Sequence, residues 1–189
     1  MRAEEPVPPT LELSDDRLRL RSWQDRDAPA LSDAARESVD SVGRYLPWCH
    51  AGYQLDEAMM WIEHCRNGWL GGEHFAFAVL DRLSGELLGG AGLNQIQHTH
   101  RSANLGYWVT QSHQRHGIAC SAALLAARFG FEQLGLVRIE IITLPENRSS
   151  RRTAEKLGAR FEAIARQRLW LREQPMDAAV YALIPQDLF

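Results

Sequence analysis

The chain has 189 residues, 45% of them hydrophobic, and carries 21 Lys and Arg against 24 Asp and Glu for a net charge of -3. That is enough for one domain with a substantial core, and the mixed, slightly acidic charge offers no polyanion-binding surface, so nucleic acid is not an expected partner. Cys49, Cys65 and Cys120 stand far apart without C-x-x-C spacing, which argues against a zinc cluster or a disulfide framework and fits a reducing cytoplasm.

No apolar run approaches a membrane span, and the opening MRAEEPVPPT is acidic and proline-rich rather than a signal peptide. Residues 1–10 are expected to form a mobile tail ahead of a single domain over 11–189. Leu11, Leu13, Leu18 and Leu20 alternate with other residues around Ser14-Asp15-Asp16, predicting a small hairpin or a broken first strand at the sheet edge. Gln24-Asp25 then precedes a helix with Ala28, Leu31, Ala34 and Ala35 on one face, and Asp25 or Asp27 places negative charge in its first turn. Pro47 stops helix in segment 40–48 and leaves Tyr45 and Trp48 beside a turn. A second helix is predicted over 56–70, with Met59, Ile62 and Trp69 as a core stripe and Gly71-Gly72 closing it.

Residues 74–81 and 86–96 read as an antiparallel strand pair joined by Arg82-Leu83-Ser84-Gly85. Gly89, Gly90 and Gly92 do not make a dinucleotide fingerprint, because the stretch lacks the third glycine and runs on as strand. They mark a bulge or a close approach instead. His98 and His100 lie in a polar loop with no Cys, Asp or Glu at ligand spacing, so no metal is expected.

Leu105, Tyr107 and Val109 alternate as a strand, which residues 110–116 interrupt. From Gly117, the residues Ile118, Ala122, Leu125, Phe129 and Leu134 fall near helical spacing, with Gly135 as a left-handed stop. Gln114-Arg115-His116-Gly117-Ile118-Ala119 is therefore a turn entering a helix N-terminus, where unpartnered N–H groups and the macrodipole favour an anion such as phosphate. Gly117 permits close approach to the backbone, Ala119 keeps the first turn small, and Arg115 and His116 add positive charge. Taken alone, the hexapeptide is equally an ordinary strand-to-helix turn. Residues 136–143 form another apolar strand, PENRSSRRTAEKLGA opens a further helix, and 160–171 and 176–183 read as final strands around Arg172-Glu173-Gln174-Pro175.

The hexapeptide resembles the Q/R-x-x-G-x-G/A loop of the GNAT superfamily of acyl-CoA N-acyltransferases, with Ala in the last position. Pro145-Glu146-Asn147, Ser150 and Glu155-Lys156-Leu157-Gly158 resemble the segment that closes the cofactor site in its RimJ/RimL-type branch, with Ala159 in place of the usual Phe. Both motifs stand in order and at the family spacing, over roughly 11–189 and most clearly over 89–158. The resemblance implies an α/β fold with a single mixed, mostly antiparallel central sheet and helices on both faces. It also implies acetyl-CoA as cosubstrate and N-acetyl transfer to a primary amine, in the first place a protein N-terminal α-amine. A small-molecule amine (antibiotic, polyamine or aminoacyl nucleotide) is the alternative acceptor, and a non-catalytic acyl-CoA-binding module is the alternative from another class. A homodimer stays open; a membrane partner is not implied.

Carried over residue by residue, the resemblance assigns the pantetheine and the thioester oxygen to backbone at Tyr107, Trp108 and Val109, freed where this strand splays from the next. It assigns the pyrophosphate to Gln114, Arg115, His116, Gly117, Ile118 and Ala119, and a pantetheine contact to Asn147. Tyr45 and Trp48 fall in the segment that resembles the acceptor lining, and are equally read as packing aromatics. The family's frequent tyrosine acid, seven residues after the asparagine, is Ala154 here. Ser150 matches the branch's serine near the cofactor sulfur and is the candidate for hydrogen-bonding or protonating the thiolate; capping the helix with Asn147 is its other role. Direct attack needs no covalent enzyme intermediate, and the candidate base is Glu73, with Glu140 second and ion pairing to Arg138 or Arg160 its alternative.

Overall fold

The computed structural model describes residues 7–188, and the part of the expected mobile tail at residues 1–6 lies outside the described residues. Within residues 7–10 the chain is tied down: Trp69 Nε1 donates to the Val7 carbonyl at 3.0 Å and Ser22 Oγ to the Pro9 carbonyl at 2.7 Å. The elements follow as β1 (Glu12–Ser14), β2 (Leu18–Ser22), α1 (Ala28–Glu37), α2 (Leu55–Gly71), β3 (Phe75–Asp81), β4 (Leu87–Gln97) and β5 (Ser102–Val109). After these come α3 (Ile118–Glu132), β6 (Arg138–Thr143), α4 (Arg148–Lys156), β7 (Arg160–Leu171) and β8 (Gln174–Leu183).

All eight strands form one sheet in the order β1-β2-β3-β4-β5-β6-β8-β7. Every neighbouring pair is antiparallel except β5 and β6, which are parallel and joined through α3. The expected first strand is a short hairpin, and β1 does stand at the sheet edge. Helices α3 and α4 cover one face, where Phe129, Ala122, Ala126 and Ala154 join Phe77, Leu93, Leu105 and Ile139 in the larger core cluster. Helices α1 and α2 cover the other, where Leu31, Ala35, Ala58, Ile62 and Cys65 pack on Ala78 and Leu80. The α1 face is the one its spacing predicts. On α2 the stripe differs, because Met59 is 50% exposed while Ala58, Ile62, Cys65 and Trp69 are buried, so the buried face is rotated by one position at its start.

Local chemistry accounts for the boundaries. A Gln54–Glu57 capping box opens α2, Glu57 Oε1 accepting from Gln54 N at 2.9 Å, and Gly72 closes it in the left-handed region. Helix α3 ends at Glu132, short of the expected Leu134, although the Gln133 and Leu134 amides still bond to the Phe129 carbonyl before Gly135 turns at φ 59°. Strand β5 begins at Ser102 rather than Leu105, and β8 begins at Gln174 because the β7–β8 turn has only Arg172 and Glu173, both at positive φ, as its central residues. Pro175 is tolerated there because β8 pairs with β6 only from Ala179 onward, leaving its own missing N–H without a ladder to break.

Asp27 serves the core rather than the helix dipole alone. Its carboxylate takes a bidentate ion pair from the buried Arg21 at 2.7 and 2.8 Å and a further bond from Gln24 N at 2.9 Å, while Asp25 pairs with Arg66. Removing one member of such a pair leaves an uncompensated buried charge. Asp27→Ala should therefore destabilise the domain by about 3–5 kcal/mol, seen as a lower urea midpoint with unchanged slope. An Arg21→Met/Asp27→Leu double substitution should recover most of that loss.

Candidate active site

The ladder between β5 and β6 is limited to Ser102↔Arg138, Ala103↔Ile139 and Asn104↔Glu140. Beyond Asn104 the two strands part, although β5 stays paired to β4 through Val109 and β6 stays paired to β8 through Thr143. Backbone groups alternate sides along a strand. Thr110 N donates back to Leu88 O of β4 at 2.9 Å, so the N–H and C=O of Tyr107 and the N–H of Val109 point into the opening. The Trp108 carbonyl instead lies against Gly89 of β4. One cleft acceptor is already used, because Gln114 Nε2 donates to Val109 O at 3.0 Å and to Ser41 Oγ at 3.1 Å. Gln114 thus turns its side chain inward and pins the loop to both β5 and the segment after α1.

The rest of that loop is held open toward solvent. Arg115 adopts φ 69° and Gly117, the residue that caps α3, φ 79°. The His116 carbonyl accepts from Arg17 Nη1 at 3.2 Å, and His116 Nδ1 faces the His113 carbonyl at 3.2 Å. A Cβ built on Gly117 would meet nothing within 4 Å, so the space above it is free while the first-turn amides of Ile118 and Ala119 have no intrahelical partner. An open, left-handed backbone at a helix N-terminus beside an unpaired strand edge fits the diphosphate and pantetheine of a CoA thioester.

Helix α4 closes the other wall. Asn147 Oδ1 accepts from Ser150 N at 3.1 Å as its cap, and Arg151 ties the helix to the sheet by donating to Tyr181 Oη at 3.0 Å and to the Pro145 carbonyl at 3.1 Å. Tyr107 reaches across from β5, donating to the Ser150 carbonyl at 3.0 Å with its oxygen 3.3 Å from Ser150 Oγ. Burial pushes the Tyr107 phenol up to about 12. Ala154 is wholly buried, so α4 has no room for an acid there.

The neighbouring residue, Trp108, points to the opposite face of the sheet. Its indole sits over Gly90, where a Cβ would come within 2.6 Å of Nε1, and meets Trp48 edge-on at 5.3 Å. Trp48 in turn packs edge-on against the buried Tyr53 at 6.0 Å and remains 36% exposed. Tyr45 lines a different feature, a groove of about 290 Å³ formed with Pro47, Leu144, Glu146, Leu171 and Arg172. Arg172 closes that groove by donating to the carbonyls of Gly43 and Arg44 at 3.3 and 2.9 Å. Sequence reading missed Glu146 and the β7–β8 turn as parts of this wall; only Glu146 had a signal, its place beside Asn147.

The two expected bases are not brought to the cleft. Glu73 is exposed in the turn after α2, ahead of Phe75, whose register partner Leu93 lies opposite Leu105. At about 3.3 Å per residue and about 4.8 Å per strand, that places it on the order of 13 Å along and 10 Å across from Tyr107. Glu140 accepts from Arg138 at 2.9 Å, and Arg138 also holds Glu162, whose carboxyl lies below its usual range because of that guanidinium. Ion pairing with Arg138, not Arg160, is its structural role; Arg160 pairs with Asp187 at 3.4 Å. Among the described residues no group of His, Cys, Asp and Glu could hold a metal ion, and no helix is long and apolar enough to cross a membrane.

Gly117→Val should separate backbone cradling from folding. A β-branched residue at φ 79° is strained by about 1–2 kcal/mol, lowering the melting temperature by several degrees. CoA affinity measured by calorimetric titration should fall at least about tenfold, because the side chain fills the open approach to the backbone.

Comparison with known proteins gives the same frame. The profile of the acetyltransferase (GNAT) domain matches residues 17–160. The chain is 30% identical over 172 residues to the Bacillus subtilis N-acetyltransferase YoaA, covering 91% of this chain and 96% of that one. A Vibrio cholerae structure described as a candidate ribosomal-protein-serine acetyltransferase superposes with a TM-score of 0.86 at 31% identity, covering 95% of this chain and 100% of the other. RimL, the ribosomal L7/L12 α-N-protein acetyltransferase in complex with coenzyme A, has the same fold with a TM-score of 0.83 at 20% identity, over 95% of this chain and 100% of that one. With the domain profile spanning most of the chain and the sheet opening at the position where a CoA thioester fits, this protein belongs to the GNAT family of acetyl-CoA-dependent N-acetyltransferases.

Proposed function

We propose that the acceptor is the α-amine at the N-terminus of a polypeptide, entering through the groove between Tyr45 and the β7–β8 turn. The groove carries this reading: two residues of its lining, Leu144 and Glu146, stand just before the α4 cap Asn147, which sets the groove beside the first turn that holds Ser150. The name of the Vibrio cholerae neighbour, a ribosomal-protein-serine acetyltransferase at 31% identity, supports the same acceptor class.

Acetyl-CoA supplies the acetyl group as a thioester when bound. The unpaired backbone at Tyr107 and Val109 holds it in line with the cleft, and the loop from Arg115 to Ala119 holds its phosphates. An attacking amine must be neutral. Near pH 7.4 about a quarter of an α-amine is neutral, against about one part in a thousand of a lysine, a difference of roughly 3.5 kcal/mol. A groove whose lining offers a single carboxylate, Glu146, suits an amine that gives up its proton to water with little help. A tetrahedral oxyanion would meet the inward N–H groups of β5.

A second reading, a small amine bearing a ring, draws on the exposed edge of Trp48 beside Trp108, where an aromatic acceptor could stack. Thiol release from acetyl-CoA with N-terminal peptides and with small amines separates the two. Peptides should turn over with the higher kcat/KM; turnover confined to small amines would overturn the α-amine reading. Trp48→Ala, run in the same assay with ring-bearing amines, should on this second reading raise their KM several-fold and leave CoA affinity within about twofold, since Trp48 is part-exposed and lies off the cofactor loop. Equal loss of both, with a stability loss on the order of 3–5 kcal/mol, would make Trp48 a core residue instead.

A further inference from the structure

We propose that Tyr107 is a positioning residue for Ser150, the phenol and the serine hydroxyl forming a two-member donor chain that ends at the sulfur of bound CoA. The proposal rests on the reading of the β5–β6 opening as the CoA thioester site. Three observations carry it. Tyr107 is, with Val109, a residue of β5 whose backbone faces the opening, and its side chain crosses to α4 to place its oxygen 3.0 Å from the Ser150 carbonyl and 3.3 Å from Ser150 Oγ. The backbone amide of Ser150 is fixed by the Asn147 cap at 3.1 Å, which sets the residue's place in the first turn of α4, while its hydroxyl meets the phenol of the strand. Ala154 is wholly buried and carries no hydroxyl, so the phenol that meets Ser150 comes from β5 and not from α4 itself.

As the resting pair, Tyr107 donates to the Ser150 carbonyl and Ser150 Oγ–H is directed to the phenol oxygen. When negative charge develops on sulfur, Ser150 Oγ–H turns to it and the phenol O–H swings from the carbonyl to Ser150 Oγ, polarising the serine donor. The bookkeeping closes without a further reactant. The amine nitrogen forms the C–N bond, the C–S bond breaks with its electron pair going to sulfur, the nitrogen releases a proton to water, and the sulfur takes one from water. Neither hydroxyl needs to lose its proton permanently. Burial keeps the phenol protonated well into alkaline solution, so the chain survives where the thiol itself ionises.

The test compares calorimetric affinities for CoA and for desulfo-CoA, which lacks the sulfur, at neutral pH and above the range in which a thiol ionises. The wild-type protein should prefer CoA, and the preference should grow to about tenfold as the thiolate forms, the size of one charge-assisted hydrogen bond. Tyr107→Phe and Ser150→Ala should each bring the ratio close to one with desulfo-CoA affinity unchanged, while Ser150→Thr should keep the preference. Thermal melts run beside these, and Tyr107→Met, equally without a hydroxyl, replaces the Phe variant should that not fold. A preference kept in Tyr107→Phe but lost in Ser150→Ala would make Tyr107 scaffold only. A wild-type ratio near one would overturn the donor chain while leaving the cofactor site standing. Failure to bind either nucleotide would overturn both.

Discussion

The rest of the structure depends on where one parallel ladder stops. Three register pairs hold β5 to β6, and after Asn104↔Glu140 the strands part. The break is tolerated because neither strand becomes an isolated edge: past the break β5 keeps β4 through Val109 and β6 keeps β8 through Thr143. What is lost is a short run of hydrogen bonds between them, and a backbone donor left inside a protein without a partner costs free energy comparable to a lost hydrogen bond. The chain offsets part of that cost itself, with Gln114 reaching back to the Val109 carbonyl. The remaining groups at Tyr107 and Val109 face the opening, where an extended, amide-bearing ligand such as pantetheine would pair with them.

Because side chains alternate across a strand, the same opening divides the work between two sides of the sheet. Tyr107 lies on the face covered by α3 and α4, where its phenol meets Ser150. Trp108, the next residue, lies on the face covered by α1 and α2, where it meets Trp48. A one-residue slip of β5 would exchange these partners and set an indole against α4. The register is held by the β4 pairing, by the fit of the Trp108 indole over Gly90, and by the Asn104–Asn94 side-chain bond at 3.0 Å where the ladder begins to open. Gly90, set aside from a dinucleotide fingerprint on sequence grounds, is thus used for the close approach of an aromatic ring.

Much of this was legible along the chain. The α1 face, the helix starting just after Gly117, the β3–β4 pair and the Asn147 cap follow from local periodicity and capping chemistry, which act over a few residues. The errors share another cause. Met59 fits helical spacing as well as Cys65 does, and only the sheet beneath α2 decides which of them is buried. Ser102 and Asn104 carry no strand signature, yet they pair with β6 and so extend β5 by a turn of the ladder. Arg172 and Glu173 lack the residues that a two-residue hairpin prefers, so the turn they form was read two residues too long. The opening between β5 and β6 is a relation between strands thirty residues apart, and no window along the sequence contains it.

The cofactor loop shows how a motif and its physical cause can differ. Its sequence invites an argument from charge, with Arg115 and His116 placed beside the expected phosphates. In the structure the pins do most of the shaping: Gln114 is turned inward to Val109 and Ser41, the His116 carbonyl is held by Arg17, and two left-handed residues, Arg115 and Gly117, bracket it. A non-glycine residue at φ 69° is held there against its preference, by contacts on either side rather than by its own side chain. The consequence is a backbone already curved before any anion arrives, so little conformational entropy remains to be lost on binding. Side-chain charge at Arg115, which is exposed, is screened by salt, whereas the first-turn amides of α3 are fixed in direction by the helix itself. On the proposed reading of this loop, specific recognition of the phosphates would therefore rest on backbone geometry, with the exposed cation adding attraction at longer range.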